Sequence, residues 1–153
     1  MRRLSFLALD QALQKTGWAY FDDGELVDYG CFNIDSNSPI GRRLAIFWDH
    51  LGKLHQEHEF EEVVFEGIQN QNNNETYKKL AYVQAAIMLW CYYKNIDYEI
   101  LAPSEWRSKL NYTFGKKREE QKANAINYVK DMINKEVTSD EADAICIGFA
   151  FKK

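Results

Sequence analysis

The start of the chain carries three strand-like segments that are separated by turn signals. A short apolar run ends in Asp10, the apolar segment Thr16 to Phe21 follows it as a hairpin partner, and Glu25 to Ile34 alternates between apolar and polar positions. The turn signal Asp22-Asp23-Gly24 separates the second segment from the third. This pattern predicts an antiparallel meander of three strands.

Helical and strand-like patterns alternate through the rest of the chain. The predicted elements are, in order, a helix from Ile40 past Leu54, a strand from Glu61 to Glu66, a helix from Glu75 to Lys94, a strand from Ile96 to Ala102, a short helix that starts at Pro103, a helix from Lys116 to Ile133, and a last helix capped by Thr138 or Ser139. Strands that return to a sheet through helices predict a mixed five-stranded sheet, in which parallel strands extend the meander and helices flank both faces. The fold class is therefore α/β, and the length of 153 residues predicts one domain, 1–153.

Two carboxylates stand at the ends of apolar strands, where acidic residues are uncommon. Asp10 ends the first strand, and Glu66 ends the segment EEVVFE before Gly67 and an Asn- and Gln-rich stretch. An unpaired buried carboxylate is costly, so each one either accepts backbone N–H groups or meets a cation. If the first and fourth strands are parallel neighbours, both carboxylates lie at the edge where open α/β sheets bind ligands.

Two further carboxylates lie at the start of the last helix. Asp140 and Asp143 are three residues apart and therefore share one helical face. The helix dipole explains Asp140 alone, but it explains Asp143 less well because apolar neighbours surround that position. Carboxylates gathered at one sheet edge repel each other unless cations intervene, and oxygen ligands suit Mg²⁺ or Mn²⁺. Two such ions about 3.5 to 4 Å apart support in-line displacement at phosphorus, so the predicted reaction is phosphodiester hydrolysis.

Composition limits the compartment and the partners. The three cysteines lie far apart in apolar or aromatic surroundings, which indicates reduced thiols rather than disulfides or a zinc site; they are Cys31, Cys91 and Cys146. The sequence has no apolar run that approaches the roughly 18 residues of a membrane helix. We therefore expect a soluble, cytoplasmic protein without a membrane partner.

The predicted helix from Glu75 to Lys94 is apolar over most of its circumference after Leu80. Such a helix is buried on more than one side. A homodimer contact through the part around Leu80 to Trp90 is therefore expected. The Asn- and Gln-rich stretch before this helix is either a flexible connector or a segment that touches a large polar ligand.

Four parts of the sequence form an ordered set; they are LALDQALQKTGWAYF, VVFEGIQ, APSEWRSKL followed by KKREEQKANAINYV, and SDEADAICIGFAF. In this order and spacing they resemble the RuvC-type Holliday junction resolvases of the ribonuclease H-like superfamily. The resemblance covers essentially the whole chain, and the phage-encoded branch is more similar than the housekeeping bacterial branch. It implies a homodimeric, Mg²⁺-dependent endonuclease that nicks branched DNA, either Holliday junctions alone or also Y-forks and flaps.

The resemblance also implies a set of metal-binding residues. The implied ligands are Asp10, Glu66, Asp140 and Asp143, which would hold two Mg²⁺ ions per active site, with Mn²⁺ as a substitute and with Asp10 bridging both ions. The chain departs from the family pattern in two places. Family members usually have Asp-Pro-Gly or a similar tight turn after the first aspartate, whereas Gln11-Ala12 follows Asp10 in this chain. They also tend to carry an aromatic wedge after the second carboxylate, where this chain has Gln69-Asn70-Gln71.

Basic residues cluster in one part of an otherwise acidic chain. The net charge is −4, but the segment from Arg107 to Lys130 has seven basic and two acidic residues. Such asymmetry permits a basic face on an acidic body, although a charge run is also typical of a solvated helix. The residues expected to hold DNA phosphates are Arg107, Lys116, Lys117, Arg118 and Lys122.

The pattern assigns no function to the histidines or the tryptophans. His50 and His58 are expected at the surface, because no acidic or cysteine ligand accompanies them at the spacing of a metal site except by chance. The tryptophans are expected in the core; they are Trp18, Trp48, Trp90 and Trp106.

Two functions outside the nuclease class remain open at this point, and a ribonuclease or a broad fork and flap nuclease is a third possibility within that class. An actin-like or sugar-kinase-like nucleotide binder also begins with a strand that ends in Asp, but it needs a second domain and glycine-rich phosphate loops, and this chain has eight glycines and no such loop. The second alternative is a protein that binds branched nucleic acid without cleaving it. Retention of all four carboxylates argues against that alternative.

Overall fold

The computed structural model describes residues 4–68, 73–111 and 113–152, and their elements follow the predicted order. The strands are β1 (Ser5–Asp10), β2 (Lys15–Asp22), β3 (Glu25–Asn33), β4 (Glu62–Glu66) and β5 (Asp97–Leu101). The helices are α1 (Ile40–Glu57), α2 (Asn74–Lys94), α3 (Pro103–Lys109), α4 (Arg118–Ile133) and α5 (Ser139–Phe151). None of the helices in these ranges has the length and apolar content that a membrane crossing needs. The segment Gln69-Asn70-Gln71, to which the family's wedge corresponds, lies outside the described residues.

The sheet has the order β3-β2-β1-β4-β5, which puts β1 at its centre. β1 is antiparallel to β2 and parallel to β4, and β4 is parallel to β5. Leu9 of β1 pairs with Trp18 on one side and with Phe65 on the other. The predicted mixed sheet is confirmed, and β1 and β4 consequently end at the same edge.

Alternating residues of β1 enter two separate cores, one on each face of the sheet. Phe6 and Ala8 belong to the core that α3, α4 and α5 cover. Leu7 and Leu9 belong to the core that α1 and α2 cover. Helices therefore flank both faces, as the sequence pattern predicts.

Helix α5 is buried along most of its length and packs across the central strands. Every residue from Ala144 to Ala150 is buried. The helix begins at a capping box, in which the N–H of Glu141 donates to Thr138 Oγ1 and the N–H of Thr138 donates to the Glu141 carboxylate at 3.0 Å. Thr138, rather than Ser139, is thus the N-cap, and this pair of bonds fixes the start of the helix.

Helix α4 begins two residues later than predicted. Lys117 is its N-cap and has an extended backbone, with φ −82° and ψ 146°, so Lys116 precedes the helix. No local signal in KKREE marks this boundary, because lysine and arginine have similar helix propensities. The two lysines are therefore exposed beside the start of α4 instead of forming its first turn.

Gly148 of α5 faces the Phe21 ring so closely that an added Cβ would overlap Phe21 Cε1. Phe21 is fully buried and stacks on Phe6, so it cannot move without disturbing the core. We expect Gly148→Ala to lower the free energy of unfolding by about 1 to 3 kcal/mol, measured by urea denaturation.

Gly52→Ala in α1 is the matched control for this substitution. A Cβ at Gly52 meets nothing within 4 Å, and alanine favours a helix interior by roughly 0.5 to 1 kcal/mol over glycine. The control should be as stable as the wild type or more stable. Equal stability of the two variants would contradict the close packing of α5 on β2.

Candidate active site

Asp10 and Glu66 end neighbouring parallel strands and lie at the same edge of the sheet. The register pairs Leu9 with Phe65, the residues immediately before them. The charge of Glu66 raises the pKa of Asp10, so the two carboxylates are close enough to interact. The strand order therefore brings together two residues that are far apart in the sequence.

Gly17 allows α5 to bring its acidic residues to the same edge. Gly17 lies opposite Asp10 in the register of β1 and β2. A Cβ on Gly17 would overlap the carbonyl oxygen of Asp140. Because glycine has no side chain, the first turn of α5 lies directly on the sheet and places Asp140 and Asp143 near Asp10.

Asp10, Glu66, Asp140 and Asp143 form what we call the pocket, and the ionisation of Asp10 depends on the other three carboxylates. Burial raises the pKa of Asp10 well above its usual value, and the charges of Asp143, Glu66 and Asp140 raise it further. The positive charge of Arg118 partly opposes this rise in pKa. The four carboxylates thus form one electrostatic cluster, with Asp10 on the central strand.

Asp143 and Glu66 also hold their protons more tightly than usual. Burial and the charge of Glu66 raise the pKa of Asp143 to about 7, against the opposing charge of Arg107. Burial raises the pKa of Glu66, while a hydrogen bond from Trp106 and the charge of Arg107 oppose that rise. Ionised carboxylates are disfavoured in this pocket until more positive charge enters it.

A family model described as "Crossover junction endodeoxyribonuclease RuvC" matches residues 6–151. The match spans nearly the whole chain and includes all four pocket carboxylates. The chain belongs to the RuvC family of crossover junction endodeoxyribonucleases. It is accordingly an endodeoxyribonuclease that acts on branched DNA, and the resemblance seen in the sequence is confirmed. Its placement in the phage-encoded branch stays a prediction.

Relatives of this RuvC-family chain cover almost its full length. A RuvC from Dictyoglomus turgidum (strain DSM 6724 / Z-1310) is 27% identical, over 96% of this chain and 96% of its own. The Thermus thermophilus RuvC solved with a Holliday junction substrate aligns with a TM-score of 0.78 at 14% identity, over 96% of this chain and 92% of its own. The fowlpox virus resolvase solved with Holliday junction DNA aligns with a TM-score of 0.63 at 13% identity, over 97% of this chain and 96% of its own. These structures share the fold of this chain, which confirms the ribonuclease H-like class.

Trp106 of α3 fixes the side chain of Glu66, a role that the sequence pattern does not predict. The indole Nε1–H donates to Glu66 Oε2 at 2.8 Å. Trp106 is fully buried, as expected for a core tryptophan. A buried indole N–H needs an acceptor, so a tryptophan predicted in the core was the signal in the sequence that such a hydrogen bond exists. Which acceptor it meets depends on the packing of α3 against the end of β4.

Three of the five predicted DNA-binding residues lie close enough to act on the pocket carboxylates. Arg107 and Lys122 oppose the pKa rise of Asp143, and Arg118 opposes that of Asp10. The Arg107 guanidinium lies 4.7 Å from the centre of the Trp106 ring. The other two predicted residues, Lys116 and Lys117, are exposed just before α4.

Lys15 is a basic residue of the pocket that the sequence analysis overlooked. Its Nζ lies 3.6 Å from Asp140 Oδ2, across the junction of β2 and α5. The side chain is 43% exposed, so the pair contributes little to stability. Lys15 follows the predicted loop after the first strand, and nothing local indicates that α5 lies against it.

The RuvC-family pocket has the donor set of a hard-cation site. Nucleases of this family use divalent metal ions, and the four candidate side chains offer only carboxylate oxygens, which suit Mg²⁺ and Mn²⁺ better than softer metals. A divalent cation would also offset the burial and the like charges that raise the pKa of Asp10 and Asp143, and the burial that raises the pKa of Glu66. The chemistry of these side chains therefore fits such an ion.

The prediction for His58 is wrong. Its Nε2 lies 2.8 Å from Asp28 Oδ2, and its ring stacks on Tyr20 at 4.4 Å between centres. Among the described residues, Asp28, Glu57 and His58 form a group whose possible metal-ligand atoms lie within 4.8 Å of one another. The pairing of β3 with β2 brings Asp28 to the end of α1, and no local pattern shows this contact. His50 is also partly buried and packs its ring against Phe32.

Replacing Asp143 should stabilise the metal-free protein at high pH. The pKa of Asp143 is about 7 in the folded state against an ordinary 3.8, so the folded state binds its proton more tightly than the unfolded state does. The free energy of unfolding therefore falls as the pH rises between these two values. We expect Asp143→Asn to have nearly the wild-type Tm at pH 3.5, below both pKa values, but a Tm several degrees higher at pH 8 without divalent cations, at about 2 to 4 °C for each kcal/mol gained.

The measurement is differential scanning calorimetry at the two pH values in EDTA. Asp131→Asn, on the exposed surface of α4, is the control and should show no gain that depends on pH. An Asp143→Asn protein that is less stable than the wild type at pH 8 would show that Asp143 is not a source of repulsion.

Proposed function

We propose that this RuvC-family endonuclease hydrolyses a phosphodiester of branched DNA with two divalent cations held by its pocket carboxylates. The proposed ligands are Asp10, Glu66, Asp140 and Asp143, within one nuclease domain, 1–153. The observation that carries this proposal is the convergence of acidic residues from β1, β4 and α5 on one pocket, where burial and the charges of the other carboxylates raise the pKa of Asp10. A structural role alone would not require so much uncompensated negative charge.

The position of each carboxylate suggests its part in the reaction. A pair of bound ions would supply an activated water, stabilisation of the leaving oxygen and neutralisation of charge on the phosphate. Asp10 lies on the central strand, with Glu66 of β4 on one side and the aspartates of α5 on the other, and for this reason we expect that it would contact both ions. Trp106 orients Glu66 through its hydrogen bond.

Mg²⁺ is the proposed physiological cation, and Mn²⁺ is the proposed substitute. Both are hard cations that accept carboxylate, water and phosphate oxygens as ligands. Protons compete with the cation, because burial and neighbouring charge raise the pKa of Asp143 to about 7. Cation affinity should therefore increase as the pH rises through neutrality.

The basic residues near the pocket are the proposed phosphate contacts. Arg107, Arg118 and Lys122 are near enough to influence the carboxylates, so they would meet a phosphate that lies over the pocket. Lys116 and Lys117 are exposed and would hold the strand further along. These contacts would position the DNA backbone without reading its bases.

A four-way junction is the proposed preferred substrate, and Y-forks and flaps remain secondary candidates. The family match favours an endonuclease over the nucleotide-binding alternative, and two similar structures were solved with Holliday junction DNA. We place the activity in the cytoplasm, which would be that of a host cell if the chain is phage-encoded.

Asp10→Asn should abolish cleavage of a synthetic four-way junction in Mg²⁺ while junction binding persists. The substitution removes the charge of the central carboxylate but keeps its shape, so the metal site fails and the basic residues remain. Cleavage is measured on denaturing gels, and binding is measured by mobility shift in EDTA.

Asp23→Asn is the matched control for this experiment. Asp23 is an exposed turn residue with φ 54°, a conformation that asparagine adopts readily. The Asp23→Asn protein should cleave the junction as the wild type does. Full activity of Asp10→Asn would refute the proposed ligand set, and a wild-type protein that binds junctions without cutting them would favour the non-cleaving alternative.

We further propose that a second copy of the chain covers one face of α2. The buried residues of this helix lie on the face toward the sheet; they are Val83, Ile87, Trp90 and Cys91. Another apolar row remains outside, with exposed fractions of 44% for Tyr82, 51% for Leu89 and 71% for Tyr93. The spacing of these residues, with Ala86 between them, is that of a helix–helix seam. A two-fold pairing of α2 with its copy would bury this row.

Leu89→Asp should shift the protein from dimer to monomer, because it places a charge in the proposed seam. Light scattering after size-exclusion chromatography measures the mass. Met132→Asp on α4 is the matched control, since Met132 is 52% exposed and lies on another helix. The control should remain dimeric, and a dimeric Leu89→Asp protein would exclude the proposed seam.

A further inference from the structure

The side chain of Gln11 bridges the ends of the two strands that carry Asp10 and Glu66. The β1–β4 register has Leu9 opposite Phe65 as its last pair. Beyond this pair, the Gln11 amide takes over the contact between the strands. Its Nε2 donates to the Glu66 carbonyl oxygen at 2.6 Å, and its Oε1 accepts from the Glu66 N–H at 3.3 Å.

The bridge belongs to a buried and well-supported loop. Gln11 is 8% exposed and Thr16 is 1% exposed. The Thr16 hydroxyl donates to the Ala12 carbonyl at 2.8 Å and accepts from the Ala12 N–H at 3.1 Å, which closes the turn between β1 and β2. Arg43 of α1 donates to the Leu13 carbonyl at 2.9 Å. The loop that carries Gln11 is thus tied both to its own hairpin and to α1.

We infer that Gln11 is a positioning residue, which sets the spacing between the Asp10 and Glu66 carboxylates and thereby the affinity of the pocket for divalent cations. Gln11 follows Asp10 directly in the chain and bonds to both backbone polar groups of Glu66. Any change in this bridge therefore moves one carboxylate relative to the other. The inference rests on the proposed function, in which these two side chains are metal ligands.

The bridge acts against a force that is present in the same pocket. The charge of Glu66 raises the pKa of Asp10, so the two carboxylates repel each other when both are ionised. The backbone register between the two strands ends at Leu9 and Phe65, so the Gln11 amide is the contact that continues beyond it. Trp106 restrains the carboxylate of Glu66 itself, and the two contacts together hold both the backbone and the side chain of that residue. Partners that orient a metal ligand typically affect metal affinity by about 10- to 100-fold.

The test compares Gln11→Met with the wild type by isothermal titration with Mn²⁺. Methionine has a similar length and volume but cannot make either hydrogen bond. We expect the Mn²⁺ affinity to fall by about 10-fold or more. The Mg²⁺ concentration for half-maximal cleavage should rise in parallel, while the maximal rate at saturating Mg²⁺ recovers most of its wild-type value and junction binding in EDTA is unchanged.

Gln14→Met is the matched control, because Gln14 lies in the same loop with an exposed side chain. It should bind Mn²⁺ as the wild type does. Gln11→Asn provides a second variant that keeps an amide but is too short to bridge, and it should lose affinity as Gln11→Met does, so the test stands if one variant fails to fold.

Wild-type Mn²⁺ affinity in a folded Gln11 variant would overturn the inference. Asp10→Asn separates this result from a failure of the proposed function and corrects for metal bound elsewhere. If Asp10→Asn also binds Mn²⁺ as the wild type does, the ligand assignment itself is wrong. If Asp10→Asn loses binding and the Gln11 variants keep it, only the positioning role of Gln11 is wrong.

Discussion

Repulsion between buried carboxylates is the constraint on which this structure depends. Asp10 and its acidic neighbours are held at one sheet edge although burial and their mutual charge make ionisation unfavourable there. Such an arrangement persists only if the surrounding structure resists the repulsion. The parallel pairing of β1 with β4, the close approach of α5 at Gly17 and the contacts of Gln11 and Trp106 with Glu66 all serve this purpose.

The two faces of the sheet have different parts in this arrangement. The face covered by α3, α4 and α5 supplies Trp106, the basic residues and the aspartates of α5, so it builds the pocket. The face covered by α1 and α2 supplies an independent core, and Arg43 reaches from α1 to support the loop after β1. Because β1 contributes alternate residues to both cores, the position of Asp10 is determined from both sides.

Positive charge in the pocket offsets only part of the repulsion. Arg107, Arg118 and Lys122 oppose the raised pKa values, yet the pKa of Asp143 remains about 7. The remaining imbalance favours both a divalent cation and a proton, so metal binding and pH are linked in this RuvC-family chain. The same side chains lie where a DNA phosphate would approach, so residues that moderate the repulsion are also suited to bind the substrate backbone.

Local periodicity was enough to determine the elements, the mixed sheet and the candidate carboxylates, because strand and helix patterns depend on neighbouring residues. Asp10 and Glu66 stood out since acidic residues are rare at the ends of apolar strands. The tertiary structure alone decided the contacts between distant segments: Gln11 with Glu66, Trp106 with Glu66, Lys15 with Asp140, and His58 with Asp28. Each joins residues on different elements, and the partner of a polar side chain depends on how those elements pack rather than on the residues beside it. The sequence thus determined which residues carry charge, and the packing decided which of those charges meet.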